Sequence, residues 1–137
     1  MLPTVRTYMN TDTHALRAGD GMVEAVARLI DSGVTGAPVV DDGGRIVGLI
    51  TEYECLRLLT RGLPHAPEGT VGSFMRTDVQ PVTPDMDIYY VAGLFVADPT
   101  VRRFPVVEGE RLVGVITRKD ILRAVTRRIT AAAVPRL

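Results

Sequence analysis

The chain repeats itself at a nearly constant spacing of 66 residues, and this repeat restricts its fold more than any other feature. A Met-x-Thr-Asp segment occurs at residues 9–12 and again at 75–78. Of the twelve positions in residues 46–57 and 112–123, six are identical. A chain of 137 residues is therefore two related halves. Each half is near the lower size limit for independent folding, and we expect the two to share one core.

Each half has the same predicted order of elements, beginning with a helix. The helix predicted over residues 22–31 has its apolar residues on one face: Met22, Val23, Val26, Leu29 and Ile30. Asp20 is its expected N-cap. The counterpart over residues 88–97 is apolar nearly all round, so we expect it to be more deeply buried.

Two strands and a closing helix follow in each half. The strands are predicted over residues 37–40, 46–50, 104–107 and 112–116, with turns of glycine and acidic residues between them. The closing helices are predicted to start after Thr51 and after Thr117. Their apolar residues are Leu56 and Leu59 in the first half and Ile121, Leu122 and Val125 in the second.

These patterns predict an α+β fold made of two β-α-β-β-α repeats with pseudo-two-fold symmetry. The small sheets are expected to pack together with the helices outside. The repeats cover residues 3–61 and 69–128. A linker rich in proline and glycine joins them at 62–68, and a tail follows at 129–137.

Charge and cysteine content exclude several classes of protein. Lys and Arg total 16, as do Asp and Glu, so the chain lacks the basic excess of a general nucleic-acid-binding protein. A lone cysteine, Cys55, cannot form an internal disulfide. His14 and His65 are isolated, so no metal site is expected. The start has no signal-peptide pattern and no apolar run is long enough for a membrane, which predicts a cytoplasmic protein.

The repeated motifs resemble those of the CBS (cystathionine-β-synthase-type) domain family, over nearly the whole chain. The first copy is Gly-Ala-Pro-Val-Val-Asp-x-Gly-Gly-Arg-Ile-Val-Gly-Leu-Ile-Thr-x-x-Glu at residues 36–54. The second is Arg-Arg-Phe-Pro-Val-Val at 102–107 followed by Leu-Val-Gly-Val-Ile-Thr-x-x-Asp at 112–120. Two such copies in tandem form what the family calls a Bateman module. The resemblance implies two clefts between the halves that take AMP, ADP, ATP, S-adenosylmethionine or related ligands.

The second half matches the family's ligand-binding pattern fully. By resemblance, Asp120 holds the ribose hydroxyls and Thr117 contacts ribose or phosphate. A carboxylate suits the first task because it can accept from both vicinal hydroxyls. Arg102 and Arg103 occupy the positions that meet phosphate, and guanidinium groups suit that task. The base is expected to lie against the first half, where the candidates are Thr7, Val34, Thr35, Gly36 and Ala37.

The first half departs from the pattern. Thr51 is present, but Glu54 replaces the aspartate. Thr35 and Gly36 stand where the second half has its two arginines. The first site is therefore expected to be empty or to take a less charged ligand, and we expect one working site.

Both Thr-x-x-acid pairs are also capping-box patterns that would need no ligand. We interpret Glu54 as structural first and Asp120 as a ligand group first. Arg102 and Arg103 alone would also fit a solvated surface pair.

The sequence is consistent with three kinds of function. The favoured one is a regulatory module that binds an adenine nucleotide, forms a homodimer and acts on another protein, with no required cofactor. NAD or a cyclic dinucleotide is an alternative ligand. The second function is a ligand-free dimerisation or scaffold module. An enzyme is the least favoured, because no nucleophile stands beside a catalytic base.

Overall fold

The computed structural model describes residues 2–61 and 68–133, with side chains up to residue 128. The helices of this part of the chain are α1 (Val5–Tyr8), α2 (Met22–Asp31), α3 (Glu52–Arg61), α4 (Val71–Phe74), α5 (Ile88–Ala97) and α6 (Arg118–Ala133). Its strands are β1 (Leu16–Arg17), β2 (Ala37–Val40), β3 (Ile46–Ile50), β4 (Arg103–Glu108) and β5 (Arg111–Thr117).

Within the described residues these elements form two compact units, each with its own core, so the expectation of one shared core is wrong. The boundaries of the units differ from those of the sequence repeats. The first, here called the Thr51 unit, comprises residues 13–79 and 110–112. The second, the Thr117 unit, comprises the described parts of residues 1–12, 80–109 and 113–137. Each unit thus combines most of one repeat with the leading arm of the other.

The Thr51 unit is built on a three-stranded sheet in the order β1-β2-β3. Strand β1 runs parallel to β2, with Leu16 opposite Val39, and β2 and β3 form an antiparallel hairpin. Helices α3 and α4 pack on this sheet, and α2 packs against these two helices. The buried residues of the core are Leu16, Met22, Ala25, Leu29, Ala37, Val39, Ile50, Leu58, Val71 and Phe74.

The Thr117 unit has the same plan with a smaller sheet. Strands β4 and β5 form a hairpin, and a single parallel bridge between Val82 and Val106 stands where the other unit has β1. Phe95 and Phe104 pack at 4.6 Å between ring centroids with tilted planes, an arrangement that aromatic pairs favour. The buried residues of the core are Val5, Val82, Ile88, Val91, Phe95, Phe104, Val106, Ile116, Ile121 and Ala124.

Each leading arm docks through backbone hydrogen bonds at equivalent positions. Asn10 pairs with Val115 in the Thr117 unit, and Arg76 pairs with Leu49 in the Thr51 unit. The methionines of the repeated Met-x-Thr-Asp segment lie over strand glycines. A Cβ on Gly48 would stand 2.6 Å from Met75 Sδ. The conserved spacing of this motif is therefore a packing requirement between arm and strand.

Most predicted elements are confirmed. Helices α2 and α5 have the predicted bounds, as do β2 and β3, while β4 and β5 are each one residue longer at both ends. The predicted β-α-β-β-α order includes an opening strand for each repeat without giving its residues, and β1 is that strand in the Thr51 unit. The four-residue helices α1 and α4 were not predicted. The predicted linker lies largely outside the described residues, and so does Pro135. No helix of residues 2–61 and 68–133 combines the length and apolarity needed to cross a membrane.

Two expectations about the helices α2 and α5 are wrong. The N-cap of α2 is Gly21, because the Asp20 carboxylate instead accepts a hydrogen bond from the Arg17 backbone N–H. Helix α5 is not deeply buried, since Tyr90 and Val96 are 56% and 80% exposed.

The apolar faces of the other helices are also only partly buried. The following residues, named above as the apolar residues of these helices, are exposed: Val23 and Ile30 on α2, Leu56 and Leu59 on α3, and Leu122 on α6. On α2 the buried face is formed by Met22, Ala25 and Leu29.

Candidate functional site

Thr117 and Asp120 meet at the start of α6. The Thr117 hydroxyl and the Thr117 backbone N–H each donate to Asp120 Oδ2 at 2.9 Å. The Asp120 backbone N–H donates back to the Thr117 hydroxyl at 3.3 Å. This is a complete capping box, so the structural role predicted for the pair is confirmed.

The second oxygen of Asp120 faces a cation. Arg123 Nη2 donates to Asp120 Oδ1 at 2.5 Å. An ionised carboxylate has about four lone-pair sites, and Thr117 and Arg123 occupy three of them, so one site on Oδ1 remains for a further hydroxyl. Asp120 is 8% exposed and remains partly open to solvent. Its geometry is therefore compatible with both capping and ligand binding.

Arg102 and Arg103 lie at the entry to β4. Because β4 and β5 form a hairpin with a two-residue turn, the start of β4 lies beside the end of β5, where Thr117 is found. Arg102 is exposed and Arg103 is half-buried. The topology thus brings two guanidinium groups to the end of the hairpin that carries the Thr117–Asp120 pair.

Sequence reasoning missed Arg118, which joins these two segments. Arg118 Nε donates to the Val101 carbonyl at 2.9 Å, and its Nη2 donates to the Pro99 carbonyl. In the sequence, the only indication of a role for Arg118 at the site is its position directly after Thr117.

In the Thr51 unit, Thr51 and Glu54 form the corresponding pair at the start of α3. The Thr51 backbone N–H and hydroxyl donate to Glu54 Oε1 at 2.8 and 2.7 Å. The Thr51 hydroxyl accepts from the Tyr53 backbone N–H at 3.3 Å. Glu54 is 2% exposed, so it is more enclosed than Asp120. The structure confirms Glu54 as a capping group.

The other first-half candidates lie in the loop before β2 and at its first residue. Val34 and Thr35 are half-buried, while Gly36 and Ala37 are buried. Cys55 Sγ lies 3.9 Å from the Thr35 carbonyl as a weak donor. These four residues and Thr51 and Glu54 belong to the Thr51 unit, and their contact with a base stays a prediction.

Thr7 is an exposed residue of α1 in the Thr117 unit. It lines a groove of about 430 Å³ whose other wall includes Ala124, Arg127 and Arg128 of α6. The lining of this groove contains neither Thr117 nor Asp120. The predicted role of Thr7 at the nucleotide therefore stays untested.

Within residues 2–61 and 68–133, no three His, Cys, Asp or Glu side chains are grouped so as to hold a metal ion.

The proteins similar to most of this chain include two curated proteins and one solved structure. An A-adding tRNA nucleotidyltransferase of Aquifex aeolicus is 32% identical over 126 residues, which cover 88% of this chain and 14% of that protein. Protein MJ1225 of Methanocaldococcus jannaschii is 31% identical over 119 residues, which cover 87% of this chain and 41% of that protein. The chain thus spans less than half the length of either curated relative.

The solved structure is that of CBSX2, an Arabidopsis thaliana protein, in complex with AMP. It has 27% sequence identity and a TM-score of 0.81, and the match covers 93% of this chain and 98% of that one.

The family comparison agrees with the repeats found in the sequence. The model of the CBS domain matches residues 5–61 and again residues 71–127. These two segments make up most of the chain and include both capping-box pairs. The chain therefore belongs to the CBS domain family and carries two CBS domains in tandem.

Proposed function

We propose that the chain is a regulatory module that binds an adenine nucleotide, AMP, ADP or ATP, in the Thr117 unit. The observation that carries the proposal is the Thr117–Asp120 pair, fixed by its own hydrogen bonds at the start of α6. A ligand site gains affinity when its polar groups are held in place before the ligand arrives.

The proposed roles follow from the chemistry of each group. Asp120 accepts a hydrogen bond from one ribose hydroxyl with its remaining lone-pair site, and release of Arg123 from Oδ1 would free a site for the second hydroxyl. Arg102 and Arg103 bind the phosphate, because planar guanidinium groups form charge-assisted, bidentate hydrogen bonds with phosphate oxygens. The relative CBSX2, solved in complex with AMP, supports an adenine nucleotide as the ligand.

The Thr51 unit is proposed to lack an equivalent nucleotide site. Glu54 is one methylene longer than Asp120 and is almost fully enclosed by its own helix start. Thr35 and Gly36 offer no positive charge to a phosphate. This unit is therefore proposed to stay empty or to take an uncharged or cationic adenosine derivative, such as S-adenosylmethionine.

The ligand is proposed to act by shifting the population of two conformations, which a partner protein reads. A ligand can shift such an equilibrium only by its difference in affinity for the two states. We propose no catalytic role for the chain, and the activity named for the Aquifex relative belongs to that longer protein. The cytoplasmic location stays a prediction.

A thermal-shift series tests the proposal on the full chain with AMP, ADP, ATP, NAD and S-adenosylmethionine. A ligand at 100 times its Kd adds about 2.7 kcal/mol to the free energy of unfolding, which raises the Tm by several degrees. We expect a phosphorylated compound to raise the Tm of the wild type and of Glu54→Gln. Asp120→Asn keeps a capping oxygen but is expected to abolish the rise. A rise that survives in Asp120→Asn contradicts the site assignment.

A second candidate function is a ligand-free homodimerisation module. Both units expose large apolar side chains on their helices, which often marks a protein–protein contact. In the Thr51 unit these residues are Val23, Ile30, Tyr53, Leu56 and Leu59, and in the Thr117 unit they are Tyr89, Tyr90, Val96 and Leu122.

Light scattering during gel filtration tests the proposed homodimer. We expect the wild type to elute with twice the chain mass and Leu56→Glu to elute partly or wholly as monomer. Because Leu56 is 62% exposed, the variant should keep its fold. A dimeric wild type with no ligand-dependent rise in Tm would favour the scaffold function, and a monomeric wild type would contradict it.

A further inference from the structure

The segment that carries Arg102 and Arg103 is one residue longer than its counterpart, counted from the end of the preceding helix to the strand proline. Helices α2 and α5 are related by an offset of 66, whereas Pro38 and Pro105 of the following strands are related by 67. The extra residue therefore lies between the end of α5 and Pro105, and β4 begins one residue earlier relative to its proline than β2 does.

The two loops close in different ways. In the Thr51 unit, Gly33 adopts a φ of +77° and the Val34 backbone N–H donates to the Leu29 carbonyl at 2.9 Å. This is a glycine-dependent helix end. In the Thr117 unit, Asp98 organises the loop, since its Oδ1 accepts from the Thr100 hydroxyl at 2.6 Å. The Val101 backbone N–H donates to the Asp98 carbonyl at 3.1 Å.

Arg118, at the start of α6, forms hydrogen bonds with the backbone of the segment between α5 and β4. Its guanidinium donates to the carbonyls of Val101 and Pro99, which lie on both sides of Thr100. The planar fork of an arginine suits two acceptors held at a fixed separation. The corresponding position of the Thr51 unit is Glu52, whose carboxylate cannot donate such hydrogen bonds.

The hydrogen bonds of Arg118 connect a residue next to Thr117 with a residue next to Arg102. At one end, Arg118 directly follows Thr117 on the first turn of α6. At the other, its acceptor Val101 directly precedes Arg102. One side chain thus fixes the distance between the ribose pair and the segment that carries the two phosphate-binding arginines.

We propose that Arg118 is a positioning residue that makes the Thr117–Asp120 site selective for phosphorylated adenosine over adenosine itself. The inference rests on the proposed function. Arg118 holds the loop so that Arg102 and Arg103 meet the phosphate while Asp120 holds the ribose. A residue with this role contributes to AMP affinity but not to adenosine affinity, whereas a purely structural residue affects both ligands equally.

Isothermal titration of the full chain with AMP and with adenosine tests this role. We expect the wild type to bind AMP at least about tenfold more tightly than adenosine, as one or two charge-assisted hydrogen bonds would provide. Arg118→Met should lower the affinity for AMP about tenfold and change the affinity for adenosine by no more than about twofold. Arg118→Lys, which can reach only one carbonyl at a time, should give an intermediate ratio. The control Arg57→Met, which removes an exposed arginine over the Phe74 ring of the Thr51 unit, should leave both affinities unchanged.

The possible outcomes separate the two proposals. An unchanged ratio of AMP to adenosine affinity in Arg118→Met, or an equal loss for both ligands, would overturn the positioning role while the proposed function stands. A wild type that binds neither ligand would overturn the proposed function and this inference with it.

Discussion

The Thr51 unit and the Thr117 unit are built on one plan and differ at the positions that would meet a ligand. Both dock the leading arm of the other repeat, and both place a methionine over a strand glycine. Both start their closing helix with a threonine-based capping box. The positions that the two units share are those that fix the backbone.

The differences are concentrated at the loop before the second strand and at the start of the closing helix. The Thr117 unit has an aspartate, two loop arginines and Arg118, where the Thr51 unit has Glu54, Thr35, Gly36 and Glu52. Duplicated units that keep their packing and change these side chains are free to take different ligands. The comparison therefore predicts similar responses to changes in packing and different responses to changes at the site.

The largest expected loss of stability follows substitution of Gly48 and Gly114, the two glycines that face the docked arms. A Cβ at Gly48 would lie 2.9 Å from the Arg76 carbonyl oxygen, whereas one at Gly114 would lie 3.2 Å from the Asn10 carbonyl oxygen. We expect Gly48→Ala to lower the free energy of unfolding by about 3 kcal/mol and Gly114→Ala by about 1–2 kcal/mol, as overpacking typically does. Urea unfolding measures both.

Gly93→Ala is the matched control for this pair. Nothing lies within 4 Å of a Cβ at this helical position, so the variant should be more stable than wild type by up to about 1 kcal/mol. Equal losses at Gly48 and Gly114, or a larger loss at Gly114, would show that the arms do not dock as described.

The capping threonines are expected to have a smaller effect on stability. Thr51→Ala and Thr117→Ala should each lower the free energy of unfolding by about 1 kcal/mol, because each removes the hydroxyl of a capping box. Of the two variants, only Thr117→Ala should also lower the affinity for AMP. Thr117→Ser should restore both the AMP affinity and the free energy of unfolding. Titration and urea unfolding on the same samples separate the two effects. An equal loss of AMP affinity in Thr51→Ala would contradict the assignment of the site to one unit.

The smallest expected change in stability comes from Asp41, in the turn between β2 and β3. The Arg45 backbone N–H donates to Asp41 Oδ1 at 3.0 Å and lowers the pKa of this carboxyl below its ordinary value of 3.8. A carboxyl with a lowered pKa in the folded state stabilises the protein above its unfolded pKa, and this contribution is lost as the pH falls through the folded pKa.

Unfolding in urea at about pH 5 and about pH 3 detects this contribution as a pH dependence. Asp41→Asn should lose less stability than wild type between the two values, because the variant has no carboxyl to protonate at this position. An identical loss in both proteins would show that the hydrogen bonds of Asp41 do not stabilise the turn.

The parts of the fold that the sequence predicted are those with a local pattern. Helices α2 and α5 and strands β2 and β3 have clear periodicity or Pro-Val-Val signals, and their bounds were predicted correctly. Helices α1 and α4 have four residues each, too few for a helical period to be recognised. The exchange of arms was missed because a repeat shows which segments correspond but not which segments they contact.

The candidate site was predictable to a similar degree. Each Thr-x-x-acid pair is local, so its capping geometry followed from spacing alone. Arg118 was missed because its acceptors, Val101 and Pro99, lie 17 and 19 residues earlier in the chain. Asp20 was assigned wrongly because the Arg17 backbone N–H competes for its carboxylate.

The number of AMP molecules bound per chain tests the central claim most directly, since the account assigns AMP to the Thr117 unit alone. Isothermal titration of the full chain should give one AMP per chain for the wild type and for Glu54→Gln, and none for Asp120→Asn. Two AMP molecules per chain, or a single one that survives Asp120→Asn and is lost in Glu54→Gln, would contradict it.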